Sequence, residues 1–261
     1  MNTLAHHVLY EFKAGLRDKS QLLMNYLFPL LFFTLVGAIM TRLDPSFKDR
    51  VIPAMAIFSV MCSYLLSMPA GLVTARESGV LRSYRISGVP SWSTLAAPVV
   101  ASIGHMALVT LIVAGVSVAA LGSAVPASVA LFVLVWLAMT AAYAGLGALI
   151  AVVSPSSRAV NLIAQVVYIP SIMLGGLMMP SGVLPPALEA VASLLPAKHA
   201  MNAFAGGEGA AISLAALVAG AIVSFALASW LFEWDGTNSR AWPLRLLALL
   251  ALAPYAVAMF F

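Results

Sequence analysis

The residues that could do chemistry in this sequence are few, and they form no catalytic pattern. His105 stands out because it is an ionisable side chain inside a long apolar run. Such a histidine either marks a path for a substrate or a proton or hydrogen-bonds a neighbouring helix, and both interpretations stay open. The sequence has no G-x-x-x-x-G-K-S/T, H-E-x-x-H or G-x-S-x-G motif and no His/Cys/Glu cluster with metal-ligand spacing. We therefore predict no catalytic residue, metal site or cofactor in this chain.

A charged stretch between two uncharged apolar runs is the second candidate site. Its charged residues are Arg76, Glu77, Arg82 and Arg85. A charged side chain costs about 2.5–3.5 kcal/mol at the centre of a bilayer, so the stretch must lie outside the membrane. Its length suits a short helix over residues 76–90 that ends at a proline. A charged helix between two membrane spans is a suitable contact for a partner protein.

The composition places the chain in the membrane. Hydrophobic residues make up 62% of it and charged residues 8%, with a mean hydropathy of +1.03, whereas soluble domains carry about 25% charged residues. The apolar runs do not alternate with polar residues, which favours helices over a β-barrel. We predict an all-α polytopic membrane protein. The net charge of +4 does not indicate nucleic-acid binding, because the basic residues are scattered through loops that flank apolar runs.

Six apolar runs predict six transmembrane helices, since a span needs about 20 such residues. The predicted spans cover residues 22–40, 52–74, 93–121, 127–153, 160–179 and 210–232. Residues 244–261 form either a seventh span or a surface-lying tail. We assign residues 1–236 to one transmembrane domain and residues 237–261 to this additional segment.

Two further segments lie outside these spans. Residues 1–20 show an amphipathic pattern that predicts a helix on the membrane surface. Residues 180–208 contain four prolines and predict a re-entrant or interfacial segment with room for at most one short helix, over residues 187–195. The basic residues predict a cytoplasmic N-terminus, because nine Lys and Arg residues then face the cytoplasm and four face outside. Residues 180–208 would then lie on the outer side.

The fifth predicted span is interrupted by Pro170, Gly175 and Gly176. Interrupted spans can expose backbone carbonyls along a pathway, although a kinked packing helix shows the same residues. Together with His105, these residues are candidates for a translocation path. All nine acidic residues map to loops or span ends, which does not favour a proton- or ion-coupled carrier. Energy for transport would then come from another protein.

Three regions of the chain resemble the membrane (permease) subunit of type-2 ABC transporters, a family of drug, polysaccharide and lipid exporters. Leu16–Leu22 followed by Y-L-F-P up to Pro29 is similar to the entry into the first span of that family. R-E-x-G-x-L-x-x-x-R from Arg76 to Arg85 is similar to its segment after the second span. Leu184–Phe204, bounded by prolines, is similar to the segment before its last span. Together these regions cover residues from about 10 to 235.

The resemblance implies that residues 76–90 are a coupling helix that docks on a separate cytosolic ATP-binding subunit, which holds ATP and Mg²⁺. By position, the candidate contact residues are Arg76, Glu77, Gly79, Leu81, Arg82 and Arg85. It also implies a second permease, in a homo- or heterodimer, a multi-pass inner- or plasma-membrane location, and export of an amphiphilic drug, lipid or glycan. Residues 180–208 would cap the outer side. The family ends after six spans, so the seventh apolar run departs from its pattern.

Two other functions remain compatible with the sequence. A membrane enzyme acting on lipid or prenyl substrates would use His105 or Glu208 as its acid/base group, and the isolated chain would then be active. A non-transporting resistance or immunity protein would tolerate charge reversal at Arg82 and Arg85.

Overall fold

The computed structural model describes residues 3–178, 184–234 and 242–261, and their regular elements are helices without a strand. The predicted all-α class is therefore confirmed. In chain order the helices are α1 (Thr3–Gly15), α2 (Lys19–Leu43), α3 (Phe47–Glu77), α4 (Val80–Ile86), α5 (Trp92–Leu121), α6 (Val129–Val153), α7 (Ser157–Leu174), α8 (Pro186–Ala192), α9 (Pro196–Ala205), α10 (Ala210–Leu231) and α11 (Leu244–Ala258).

Six of these helices are long and apolar enough to cross a membrane, namely α2, α3, α5, α6, α7 and α10. The chain alternates between two ends of the bundle. We name the end with α1, α4 and the α6–α7 turn the α1 end, and the end with α8 and α9 the α9 end. Compared with the predicted spans, α3 extends further at both ends and so includes Arg76 and Glu77. α7 stops at Leu174, and residue 179 of the predicted span lies outside the described residues.

Helix α3 lies at the centre of the bundle. Of its most apolar 18-residue stretch, 83% is buried, compared with 22% for α7 and 28% for α2. Its side chains pack against α2, α5, α6 and α7; for example, the Phe58 ring stacks on Phe32 of α2 with centroids 3.9 Å apart. A π-helical turn in α3, Cys62–Ser67, also packs against a π-helical turn in α2, Leu23–Leu27. Four of the other spans thus contact α3 directly, whereas α10 packs mainly on α6.

The contact between α3 and α6 depends on Gly147. A Cβ atom at this position would lie 1.9 Å from the Tyr64 carbonyl oxygen of α3. No side chain fits at that distance, so the two backbones approach closely only because residue 147 is glycine. Small residues allow the same kind of close approach wherever membrane helices pack.

The α9 end has more regular structure than the sequence prediction allowed. Instead of at most one short helix over 187–195, the described residues of 180–208 form two helices, α8 and α9. Pro186 and Pro196 are the first residues of these helices. Proline is favoured in a first turn because its missing N–H has no partner there in any case. The prediction of at most one short helix was therefore wrong, because Pro196 begins a second helix.

The C-terminal segment α11 packs along α10, and its Tyr255 hydroxyl occupies the space beside Gly220. At 15 residues it is shorter than the six long spans. Its middle part, Leu247–Leu252, is a 3₁₀ helix, which rises about 2.0 Å per residue instead of about 1.5 Å. Whether this segment crosses the membrane stays a prediction.

We expect Gly147→Ala to lower the melting temperature of the detergent-purified protein by about 5 °C, since forcing an extra methyl into a tight contact typically costs about 1–3 kcal/mol. The matched control is Gly115→Ala in α5, where a Cβ atom meets nothing within 4 Å. The control should melt at or slightly above the wild-type temperature. Equal melting temperatures for both variants would contradict the close contact between α3 and α6.

Candidate functional site

Two glycines bound the helix of the charged segment between α3 and α5. α3 ends at Glu77, and Gly79 follows with a φ of +79°. Gly88, with a φ of +74°, ends α4, and the N–H of Val89 bonds to the Tyr84 carbonyl at 3.0 Å. Such left-handed conformations favour glycine because it lacks a Cβ atom. The helix in this segment is thus Val80–Ile86, shorter than the predicted 76–90.

Helix α4 turns one face to the bundle and the other outward. Leu81 is buried, at 3% exposure, and anchors α4 against α3 and α5. Arg82 and Arg85 are exposed, and Ile86 is 80% exposed. The outward face therefore combines two cations with an apolar side chain, a composition that suits a protein partner.

The guanidinium of Arg76 binds the end of α6. The side chain is buried, at 4% exposure. Its Nη1 donates to the carbonyls of Ala151 and Val152 at 3.3 and 3.4 Å, and its Nη2 donates to the Ser154 carbonyl. The last carbonyls of a helix have no partner within it and carry its partial negative charge. The Arg76 guanidinium therefore donates hydrogen bonds to these carbonyls and offsets their partial negative charge.

Glu77 binds the start of α7, on the other side of the same turn. Its Oε1 accepts from the backbone N–H of Ser157 at 3.0 Å, and its Oε2 accepts from the Ser157 hydroxyl. The first N–H groups of a helix are unpaired and carry its partial positive charge, so a carboxylate is favourable here. We call this pair, with its contacts to Ser154 and Ser157, the Arg76–Glu77 clamp.

Two of the six residues that were expected to contact a docked partner are buried. Arg76 and Leu81 are buried within this chain, so neither offers its side chain to a partner in this conformation. Glu77 is exposed but already bonded to Ser157. Arg82 and Arg85 remain on the outer face of α4, and Gly79 forms its start.

His105 of α5 contacts α1 and α2, and it also lines a pocket of about 180 Å³ together with Gln21 and Ser67. Its Nδ1 hydrogen-bonds the Tyr26 hydroxyl of α2 at 2.6 Å, and the Phe12 ring of α1 stacks on the imidazole with centroids 4.2 Å apart. A Cβ atom at Gly15 would come within 2.9 Å of its Nε2. These contacts match the structural alternative, in which His105 attaches α1 to the bundle.

A cleft of about 700 Å³ lies between α2, α3 and α7 toward the α1 end. Polar side chains from all three helices line it, including Gln21, Ser67, Thr74, Asn161 and Gln165. The sequence prediction missed this cleft. The available signal was the spacing of Asn161 and Gln165, which places two amides on one face of an otherwise apolar helix.

The other three candidate path residues lie away from this cleft. Pro170 is within α7, and Gly175 follows its end, where a Cβ atom would come 2.5 Å from Ala197 of α9. Gly176, with a φ of +84°, lines a pocket of about 110 Å³ at the α9 end with Lys198. The two glycines thus lie where the end of α7 packs against α9. The structure does not bring them together with His105.

The chain matches the family model of the ABC-2 type transporter over residues 7–208. It belongs to the ABC-2 type transporter family. It is also 24% identical over 210 residues to the "Putative transport permease YvfS" of Bacillus subtilis (strain 168), covering 76% of this chain and 82% of that protein. No solved structure shows significant similarity to it.

Family membership makes the chain a multi-pass permease subunit and in general implies an ATP-binding cassette partner and a dimeric arrangement. The matched residues contain the clamp, α4 and the cleft, and they end before α10. The helices α10 and α11 of this permease thus lie beyond the match. Glu208 is exposed in the turn before α10 at the α9 end, far from the contacts of His105 with α1.

The α9 end of the permease contains a buried, partnered histidine. The Nε2 of His199 donates to the Ser193 carbonyl at 2.8 Å, and its Nδ1 lies 3.4 Å from the Ser213 hydroxyl at the start of α10. Burial lowers the pKa of His199 below its ordinary value of 6.5. Beside it, Lys198 pairs with Glu189 of α8 at 2.5 Å. These contacts fix α9 against α8 and α10.

We expect His199 to destabilise the permease as the pH falls below 6.5. The unfolded chain then binds a proton that the folded chain binds only at lower pH, so stability decreases by up to about 1.4 kcal/mol per pH unit between the two pKa values. The measurement is the melting temperature of wild type and His199→Gln from pH 8 to pH 5. The difference between them should shrink in acid, since the other histidines are common to both. A difference that does not change with pH would contradict this role of His199.

Proposed function

We propose that this chain is the permease of an ATP-driven exporter, in which a separate ATP-binding subunit docks on α4. The outward face of α4 carries this proposal. Leu81 holds the helix on the bundle, while Arg82, Arg85 and Ile86 are exposed. Exposed arginines beside a large apolar side chain are typical of the centre of a protein interface. ATP and Mg²⁺ would bind to the partner.

The distribution of basic residues supports a cytoplasmic position for α4. Among the described residues, eight Lys and Arg residues lie at the α1 end and four lie at the α9 end, and cytoplasmic loops are enriched in such residues. The N-terminus, α4 and the α6–α7 turn then face the cytosol, where ATP is available. The helices α8 and α9 face the outside of the inner or plasma membrane.

The polar cleft supports a path for an amphiphilic substrate. Its amide and hydroxyl side chains could bind polar groups, while the apolar faces of α2 and α7 could bind a hydrocarbon part. On α7, Leu162 and Val166 are 66% and 73% exposed. We propose that a second copy of the chain faces this side and completes the path. A drug, a lipid or a lipid-linked glycan would fit this description.

We expect a soluble ATPase subunit to co-purify with the tagged wild-type chain from mild detergent. In the double variant Arg82→Glu, Arg85→Glu, the yield of this subunit should fall at least about tenfold, because two interfacial cations become anions. The ratio of ATPase subunit to permease on a stained gel is the measurement.

The matched control is Arg42→Glu, Lys48→Glu, which makes the same charge change at exposed positions of the α9 end. This variant should retain the ATPase subunit at the wild-type ratio. If both double variants retain it equally, α4 is not the docking site. If no ATPase subunit accompanies the wild type under any detergent condition, the chain lacks an energy source and the exporter proposal fails.

A further inference from the structure

We infer that Arg76 and Glu77 are positioning residues that transmit a displacement of α4 to α6 and α7 through the turn between these helices. The inference rests on the proposed docking of an ATP-binding subunit on α4. It assigns the two charges a role within the chain, in addition to the docking face of Arg82 and Arg85.

The signs of the charges match the helix ends that they contact. Arg76 lies at the carbonyl end of α6, which carries partial negative charge, and Glu77 lies at the N–H end of α7, which carries partial positive charge. Two adjacent residues therefore bind the last turn of one span and the first turn of the next. Exchanging the two residue types would make both contacts unfavourable.

The position of the clamp suits the transmission of movement. α3 is helical from Phe47 to Glu77, and only Ser78 and Gly79 separate its end from α4. A partner that moves α4 must therefore also move the last turn of α3 or bend this short connection. Arg76 and Glu77 belong to the last turn of α3. When that turn moves, the α6–α7 turn that these residues bind moves with it.

The movement would reach the cleft directly. Ser157, which Glu77 binds, is the first residue of α7, and Asn161 and Gln165 follow one and two turns later on the cleft wall. At about 1.5 Å per residue, Gln165 lies about 12 Å along the helix from the clamp. A rigid helix of this length transmits a displacement of its first turn to its polar face.

Glu77 and Ser157 allow the role to be tested without disturbing the core. Glu77 is exposed and Ser157 is half-buried, whereas Arg76 is buried. Glu77→Ala and Ser157→Ala should thus fold like the wild type. Ser157→Thr keeps the hydroxyl and serves as the conservative variant. Ser78→Ala is the matched control, because its hydroxyl bonds only locally, to the Ala75 carbonyl.

The first measurement uses the full chain without a partner. Cys62, which is buried, is replaced by alanine, and spin labels are attached at Ile86→Cys in α4 and Leu162→Cys in α7. The distribution of distances between the labels should be narrow in the parent, Ser78→Ala and Ser157→Thr proteins, and at least twofold broader in Glu77→Ala and Ser157→Ala. Equal widths in all five proteins would overturn the clamp.

The second measurement uses the complex with the co-purified ATPase subunit. A fluorescent label at Leu162→Cys alone should respond to added ATP in the parent and in Ser157→Thr, and at least fivefold less in Glu77→Ala and in Ser157→Ala. The response of the Glu77→Ala, Ser157→Ala double variant should be no smaller than that of either single variant, because the two substitutions remove the same contact. An unchanged response in the alanine variants would overturn transmission through the clamp. Absence of any ATPase subunit would overturn the proposed function, while the distance widths still decide on the clamp.

Discussion

The contact of the Arg76 guanidinium with the last carbonyls of α6 is the interaction on which the α1 end of the bundle depends. A buried cation is tolerated where most of its charge and hydrogen bonds are satisfied, and here carbonyl oxygens at a helix end accept from Nη1 and Nη2, while Nε has no partner among the described residues. The contact fixes the end of α3 relative to α6, and through Glu77 relative to α7. The orientation of α4 and the shape of the polar cleft both follow from this arrangement of three helix ends.

Elsewhere in the bundle, several serine hydroxyls are satisfied within their own helix. The hydroxyls of Ser59, Ser117 and Ser154 each donate to the carbonyl four residues earlier, as is favourable where water is scarce. Hydrogen bonds between spans are made by larger side chains, such as Trp136 to Thr110 at 3.1 Å and Tyr64 to the Val99 carbonyl at 2.9 Å. The spans are otherwise held together by close packing of small and apolar residues, as at Gly147. The charged clamp is therefore a different type of contact from those around it.

Hydropathy predicted the six long helices because crossing a membrane requires about 20 apolar residues, whatever the packing. The role of Arg76 and Glu77 could not be predicted in this way, since charges at the end of a span look alike whether they bind a partner or another helix end. Their role depends on which turn lies beside them, and that is a tertiary property. In contrast, local sequence patterns could have predicted the helix start at Pro196 and the amide pair on α7.

The uneven burial of the spans links the clamp to the proposed path. α3 is enclosed by its neighbours, whereas only 28% and 22% of the most apolar stretches of α2 and α7 are buried, and the cleft lies between these two helices and α3. Exposed apolar faces must contact lipid or another chain, while the polar side chains of the cleft would be unfavourable in hydrocarbon. The proposed second copy over α2 and α7 would resolve this conflict because it would enclose the polar groups in a cavity. The clamp would then act on the wall of that cavity, since α7 carries both the contact with Glu77 and the amides of the cleft.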